Sequence, residues 1–264
     1  MSQPPARVIL VTVPKAGTYL VSEIVRRLGF EQTHLHLAMT RVVAYDPALL
    51  DEGRSNPARF EVKCPIRESI RLVRCGQFAA SHLPYEPEAV SALSGCRVVF
   101  ATRELRSALV SWMRFYVATG RASGPKAIED TRSSPQEMTI ADLEANAGDR
   151  LDAVKKQLGW LEHEGIHVLR YEDLIARDVA TIGSLREFLQ PAPSTSNPAS
   201  DESIIEQALA TDTLTRTTEA TRLDAYWSDE AEEIFHRLGG PQLNQRLGYP
   251  ESALRSSLTT HALT

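Results

Sequence analysis

The sequence predicts an α/β fold in three layers, with a central, mostly parallel sheet covered by helices on both faces. Three observations carry this. β-branched apolar runs recur far apart in the chain, at 7–13, 96–104 and 166–174. Each leads directly into a turn or a helical pattern. Strands that alternate with helices need crossover connections, which are right-handed and leave a mostly parallel sheet covered on both sides.

In chain order, residues 7–13 (RVILVTV) read as a buried strand, short and bounded by turn residues. Residues 18–28 follow as a helix with Leu20, Val21, Ile24, Val25 and Leu28 on one face, closed by Gly29. Helical patterns recur at 66–78, 139–163 and 229–239. The second strand, 96–104 (CRVVFATRE, including its turn), runs into a helix at 107–120 that ends in glycine. The third, 166–174 (IHVLRYEDL), enters another turn or helix. Residues 118–136 are polar and rich in Gly, Ser and Pro, which suits a lid or substrate loop. A second break spans 190–203. Neither separates two complete core patterns, so residues 1–250 read as one domain and 251–264 as a disordered tail.

Composition narrows the function classes. The chain has 264 residues, 42% hydrophobic and 24% charged, enough for a substantial core without metal or disulfide staples. A net charge of -5 argues against non-specific binding to nucleic acid or anionic lipid. Cys64, Cys75 and Cys96 form no C-x-x-C pair, and the odd count suits a reducing compartment. The first apolar run ends early in Pro-Lys, unlike a secretory leader, and no stretch reaches the roughly 18 apolar residues of a membrane span. The expectation is a cytoplasmic protein without a membrane span, with a homodimer left open.

The chemistry starts where the first strand ends. Val-Pro-Lys-Ala-Gly-Thr (13–18) aims Lys15, Gly17 and a helix N-terminus at one point, beyond the carboxyl end of a strand, where open α/β sheets bind ligands. Gly17 admits close backbone approach, and the amides of Gly17, Thr18 and Tyr19 offer positive charge to an anion. Together these describe a phosphate cradle, or else a plain strand-to-helix turn with a solvated lysine; it is not a Walker A loop, because the lysine precedes the single glycine. The second strand ends in Phe-Ala-Thr-Arg-Glu, with no aspartate placed for Mg²⁺. Arg103 at that strand's end and Ser111 about two turns into the next helix either grip one phosphate together or are a surface arginine and an ordinary helix serine. His82, held extended by the following Leu-Pro, has the chemistry of a general base. His34 and His36 stand at strand spacing on one face. They are half of a metal site, or simply core or surface residues.

The elements VPKAGTYL, SHLP, RELRSALVS and LRYEDL, in that order, resemble the cytosolic-type sulfotransferases that use 3'-phosphoadenosine-5'-phosphosulfate (PAPS). The resemblance spans residues 8–175 and implies a P-loop NTPase-like sulfotransferase fold. In the family a P-K-[SA]-G-T loop cradles the 5'-phosphosulfate, matched by Lys15, Gly17 and Thr18, with Ala16 and Tyr19 as further expected cofactor contacts. A T-H-L-P element carries the catalytic base, matched by His82. Arg103 and Ser111 match the R-x₇-S element on the 3'-phosphate, and Tyr171 matches a tyrosine near the adenine. The family's late glycine-rich loop corresponds to 216–235, where Arg216 stands for its leading arginine and Arg222 lies nearby, but both glycines and the tryptophan are missing. Leu20 replaces a tryptophan that often follows the first loop. Ala80 replaces a lysine often found two residues before the histidine, so that a transition-state charge contact is lost or relocated.

The implied activity is transfer of the sulfuryl group from PAPS to a hydroxyl of a small-molecule acceptor. The displacement is in-line with a histidine base and needs no metal, and adenosine 3',5'-bisphosphate (PAP) is the product. Tyr85, Phe115 and Tyr116, with Trp112 and Trp227, are candidates for an apolar acceptor pocket, although the residues on 107–120 equally suit a helix core. The alternatives are a P-loop-related kinase and a catalytically inactive nucleotide-binding protein of the same fold.

Overall fold

The computed structural model describes residues 6–44, 61–118, 134–190, 199–211 and 223–250. They divide into two compact units, one within 1–103 and 159–216, the other within 104–158 and 217–264.

The first unit holds a seven-stranded sheet. Its strands are β1 (Val8–Thr12), β2 (Glu31–Leu37), β3 (Arg41–Ala44), β4 (Glu61–Lys63), β5 (Gln77–Ser81), β6 (Arg97–Thr102) and β7 (Ile166–Arg170). The order is β4-β3-β2-β5-β1-β6-β7. β2, β5, β1, β6 and β7 run parallel, while β3 and β4 add an antiparallel margin. The sheet is mostly parallel, central and flanked by helices, as the sequence predicts. β1, flanked by β5 and β6, has no exposed residue (VILVT), the continuous apolar run of a strand buried on both faces.

Helix α1 (Thr18–Arg27) lays Leu20, Val21, Ile24 and Val25 against Val8, Leu10, Phe78, Val99, Ala101 and Leu169. Leu174 of the short helix Tyr171–Ile175 joins the same core, with residues of Val179–Leu189 and Asp201–Ala210. Burying such branched side chains stabilises the unit by about 1.5–3 kcal/mol each.

Two stretches depart from the expected elements. Residues 66–78 read as one helix, but the helix Ile66–Ser69 tightens into a 3₁₀ turn at Ile70–Leu72, and Gly76 at φ 82° starts β5. The helix expected over 139–163 runs from Pro135 to Lys155. Its start is a capping box: Ser134 Oγ accepts from the Glu137 amide, and the Glu137 carboxylate accepts from the Ser134 amide. The loop at 118–136, the break at 190–203 and the tail at 251–264 fall largely or wholly outside the described residues.

The second unit is helical. The first turn of Leu105–Ala118 is held by the buried Glu104 carboxylate, which accepts from the amides of Arg106 and Ser107, from Arg106 Nη1 and from Asn244 Nδ2. Arg106 also donates twice to Glu232, at 2.7 and 2.6 Å. Buried Arg150 pairs with Asp142 inside the same unit.

Candidate functional site

Five parallel strands end side by side, and each delivers a chemically able residue at its carboxyl end. Across the sheet the order is His36 in β2, His82 after β5, the 13–17 loop after β1, Arg103 after β6 and Tyr171 after β7. Adjacent strands lie about 4.8 Å apart, so these groups form one row along a single edge of the first unit.

The loop after β1 is tightly made. Val13 donates to the Ala101 carbonyl and Ala16 to the Val13 carbonyl, both at 2.9 Å. Lys15 takes φ 69° and Gly17 φ 80°, in the left-handed region. Gly17 is required twice over. Its backbone favours glycine, and a Cβ there would lie 2.5 Å from Cδ2 of Tyr171. No side chain caps α1 and no acidic residue lies in its first turn, so its opening amides present partial positive charge toward the strand ends.

Arg103 closes the same corner. Its Nη1 donates to the Lys15 carbonyl at 3.0 Å, and its guanidinium lies over the Tyr171 ring at 4.2 Å. Its Nε is buried with no hydrogen-bond partner among the described residues. A buried guanidinium N–H left unsatisfied is costly.

His82 keeps exposed surface although the protein around it is dense. Its Nδ1 lies 2.8 Å from the Thr12 carbonyl, which can only accept, so Nδ1 carries the proton and Nε2 the lone pair. Thr12 Oγ1 is 3.1 Å from the same nitrogen and 2.7 Å from Thr18 Oγ1. Thr12, the last residue of β1, thus links the first residue of α1 to the imidazole. Crowding by protein pushes His82 down to about 4; the bond to the Thr12 carbonyl opposes this, and the Lys15 charge adds to it.

The chain beyond His82 is latched from behind. Leu83 is fully buried, and its carbonyl accepts from Trp160 Nε1 at 3.0 Å. Tyr85 packs its ring onto Gly159, meets Trp160 edge-on at 5.1 Å, and sets its hydroxyl 3.2 Å from His163 Nδ1. These contacts make Tyr85 an anchor of the His82 segment.

Of the residues singled out in the sequence, the structure gathers Lys15, Gly17, Thr18, His82, Arg103 and Tyr171 at one edge. Ala16 is buried beneath the loop, and Tyr19 turns outward, 43% exposed. Ser111, Phe115 and Tyr116 stand half-buried on Leu105–Ala118 in the second unit. There the Arg150 guanidinium faces Trp112 and Tyr116, at 5.0 and 5.2 Å. Trp227 donates to Glu232. Arg216 and Arg222 lie outside the described residues. Sequence reasoning missed Thr12, whose place as a polar residue ending an apolar strand was a readable signal. It also left the role of His36 open; that ring lies 4.5 Å from the His82 ring, centroid to centroid. Among the described residues no group of three or more His, Cys, Asp or Glu is placed to hold a metal ion, and no helix is long and apolar enough to cross a membrane.

Residues 5–224 match the family model described as Sulfotransferase domain. Among solved structures, the mouse sulfotransferase SULT7A1 complexed with PAP superposes with a TM-score of 0.53 at 17% identity, covering 97% of this chain and 88% of that one. Retinol dehydratase in complex with androsterone and inactive cofactor PAP gives 0.51 at 15% identity, covering 95% and 83%. At these identities the likeness is one of fold. No curated protein matches the chain in sequence.

Proposed function

The chain belongs to the sulfotransferase domain family, and from that premise we propose that its site transfers the sulfuryl group of PAPS to a hydroxyl of a small-molecule acceptor, with His82 as the general base. The observation that carries this reading is the row itself: an imidazole with its Nε2 lone pair free of the Thr12 bond stands beside the 13–17 loop and the opening amides of α1, with the Arg103 guanidinium on that loop's other side. A nucleotide with phosphate at both ends of its ribose suits such a spread of positive charge. That retinol dehydratase was solved with PAP and androsterone agrees with a nucleotide donor and a small acceptor.

In this mechanism PAPS is the donor substrate. Lys15 and the first amides of α1 hold its 5'-phosphosulfate, with the Thr18 hydroxyl as a further donor. Arg103 takes the 3'-phosphate, with Ser111, Arg216 and Arg222 as further ligands on the family pattern and Tyr171 beside the adenine. The acceptor oxygen forms a bond to sulfur while the bond from sulfur to the 5'-phosphate oxygen breaks, its electron pair staying on that oxygen. The acceptor's proton passes to His82 Nε2. Lys15 and the loop amides stabilise the charge gathering on the leaving oxygen, where one preorganised donor is worth roughly 3 kcal/mol. General-base help adds on the order of 10²–10⁴-fold. Donor binding also primes the base, because phosphosulfate against Lys15 cancels one cause of the depressed His82 basicity.

Calorimetric titration with PAP and with AMP tests the reading. Wild-type protein binds PAP more tightly than AMP, and Arg103→Ala weakens PAP by about tenfold or more while leaving AMP nearly unchanged. Equal losses for the two ligands, or no PAP binding by the wild type, would refute it.

A further inference from the structure

β2 reaches the site through an irregularity. Its pairing with β5 runs Glu31↔Gln77 and Gln32↔Phe78, then resumes at His36↔Ala80 and Leu37↔Ser81. β2 therefore advances from 32 to 36 while β5 advances only from 78 to 80. Within this irregularity His34 adopts φ 56°, in the left-handed region that few non-glycine residues occupy. Bulges of this kind re-aim side chains, and they favour the neighbourhood of active sites.

Here the bulge sets His36 opposite Ala80. Partners in register on parallel strands point their side chains to the same face, and His82 follows Ala80 by the two residues that restore that face. Leu37 and Ser81, on the other face, are buried, whereas His36 and Ala80 are both partly open. The His36 and His82 rings meet at 4.5 Å, tilted by 59°. Ala80 carries only a methyl where the family resemblance implies a lysine side chain, and His36 is its register partner on the adjacent strand.

We propose that His36 is a second catalytic imidazole, donating a hydrogen bond to an oxygen of the sulfuryl group in transit and so taking the part that a lysine at position 80 would play. The proposal rests on the sulfuryl-transfer reading above. No bond to His36 forms or breaks, and the acceptor proton still goes to His82. Burial, with His82 and Arg41 as charged or titratable neighbours, holds His36 well below the ordinary imidazole range. It is therefore neutral at neutral pH, acting as an N–H donor that does not compete for the proton. A donor fixed in a crowded site is effective where charge on the transferring group must be met without reorganisation.

The test compares PAPS with PAP by calorimetry in the absence of acceptor, because the two ligands differ by the sulfuryl group alone. His36→Phe keeps a ring against His82 but has no N–H. It should reduce the preference for PAPS over PAP by about tenfold while leaving PAP affinity within about twofold. His36→Gln, a donor without the ring, should keep that preference within about threefold, and Ala80→Lys should restore it in the His36→Phe background. An unchanged preference in His36→Phe, or equal loss in the Phe and Gln variants, would overturn the proposal. A wild-type protein that binds neither ligand would overturn the sulfotransferase reading itself, and the His36 role with it.

Discussion

Replacing Gly17 by alanine puts one carbon where the Tyr171 ring already is. The added Cβ would lie 2.5 and 2.8 Å from Cδ2 and Cε2 of that ring, on a residue held at φ 80°. The left-handed backbone costs an alanine about 1 kcal/mol. Forcing the ring aside costs about 2 kcal/mol more, as overpacking usually does. The displaced ring also leaves the Arg103 guanidinium, now 4.2 Å away, a contact worth about 1 kcal/mol. The expected loss is thus about 4 kcal/mol for Gly17→Ala alone. With Tyr171→Ala already in place only the backbone cost of about 1 kcal/mol remains, which leaves a coupling of about 3 kcal/mol. Urea unfolding of the wild type, the two single variants and the double variant measures that coupling directly. Additivity within about 0.5 kcal/mol would refute the claim that Tyr171 is the reason position 17 must lack a side chain.

Two further outcomes concern ionisation. His82 should titrate near 4 in an NMR titration of the free protein and move upward when PAP occupies the cradle, since an anion offsets the Lys15 charge; His82→Ala should abolish turnover with PAP affinity within about twofold. An unmoved His82 titration, or retained turnover in the variant, would remove its role. Glu232, held down to about 2 first by its bonds from Arg106 and then by that from Trp227, lies below its unfolded range near 4.3, so the unfolded chain takes up the proton first as pH falls. Its contribution is present above about pH 4.3 and lost as pH falls through that window toward 2. Glu232→Gln should cost about 1–2 kcal/mol at pH 7, discounted for partial exposure, with the difference from wild type shrinking between pH 4.3 and 2 in denaturant unfolding; a difference that does not vary with pH would refute the assignment.

How much of this was legible depends on where physics is local. β1, the 13–17 turn and α1 read directly, because an unbroken apolar run followed by a helical period has few other solutions. The strand ends of β6 and β7 followed for the same reason. β5 did not: its sequence, Gln-Phe-Ala-Ala-Ser, has no β-branched residue, and it is a strand because β1 and β2 pair with it from both sides. The preceding Ile66, Ile70 and Val73 carry a helical spacing that the chain keeps only as far as Leu72. The sequence singled out His82 by its Leu-Pro neighbours and the order of the motifs, but its tautomer required the Thr12 carbonyl. The place of His36 depends on a bulge, which alternation cannot reveal. The packing of Tyr85 on Gly159 could not be read from its aromatic character, which says nothing about what lies beneath the ring.

The central place of β1 has a consequence for how the molecule comes into being. Both strands that flank β1 lie later in the chain, within residues 77–102, and the ring that seats on its loop comes from residue 171. Loop closures of this span slow the search for the native state and leave an apolar strand unprotected while the rest of the chain emerges. The row at the strand ends is thus assembled from residues far apart in the chain, and no single hairpin or βα unit contains all of it.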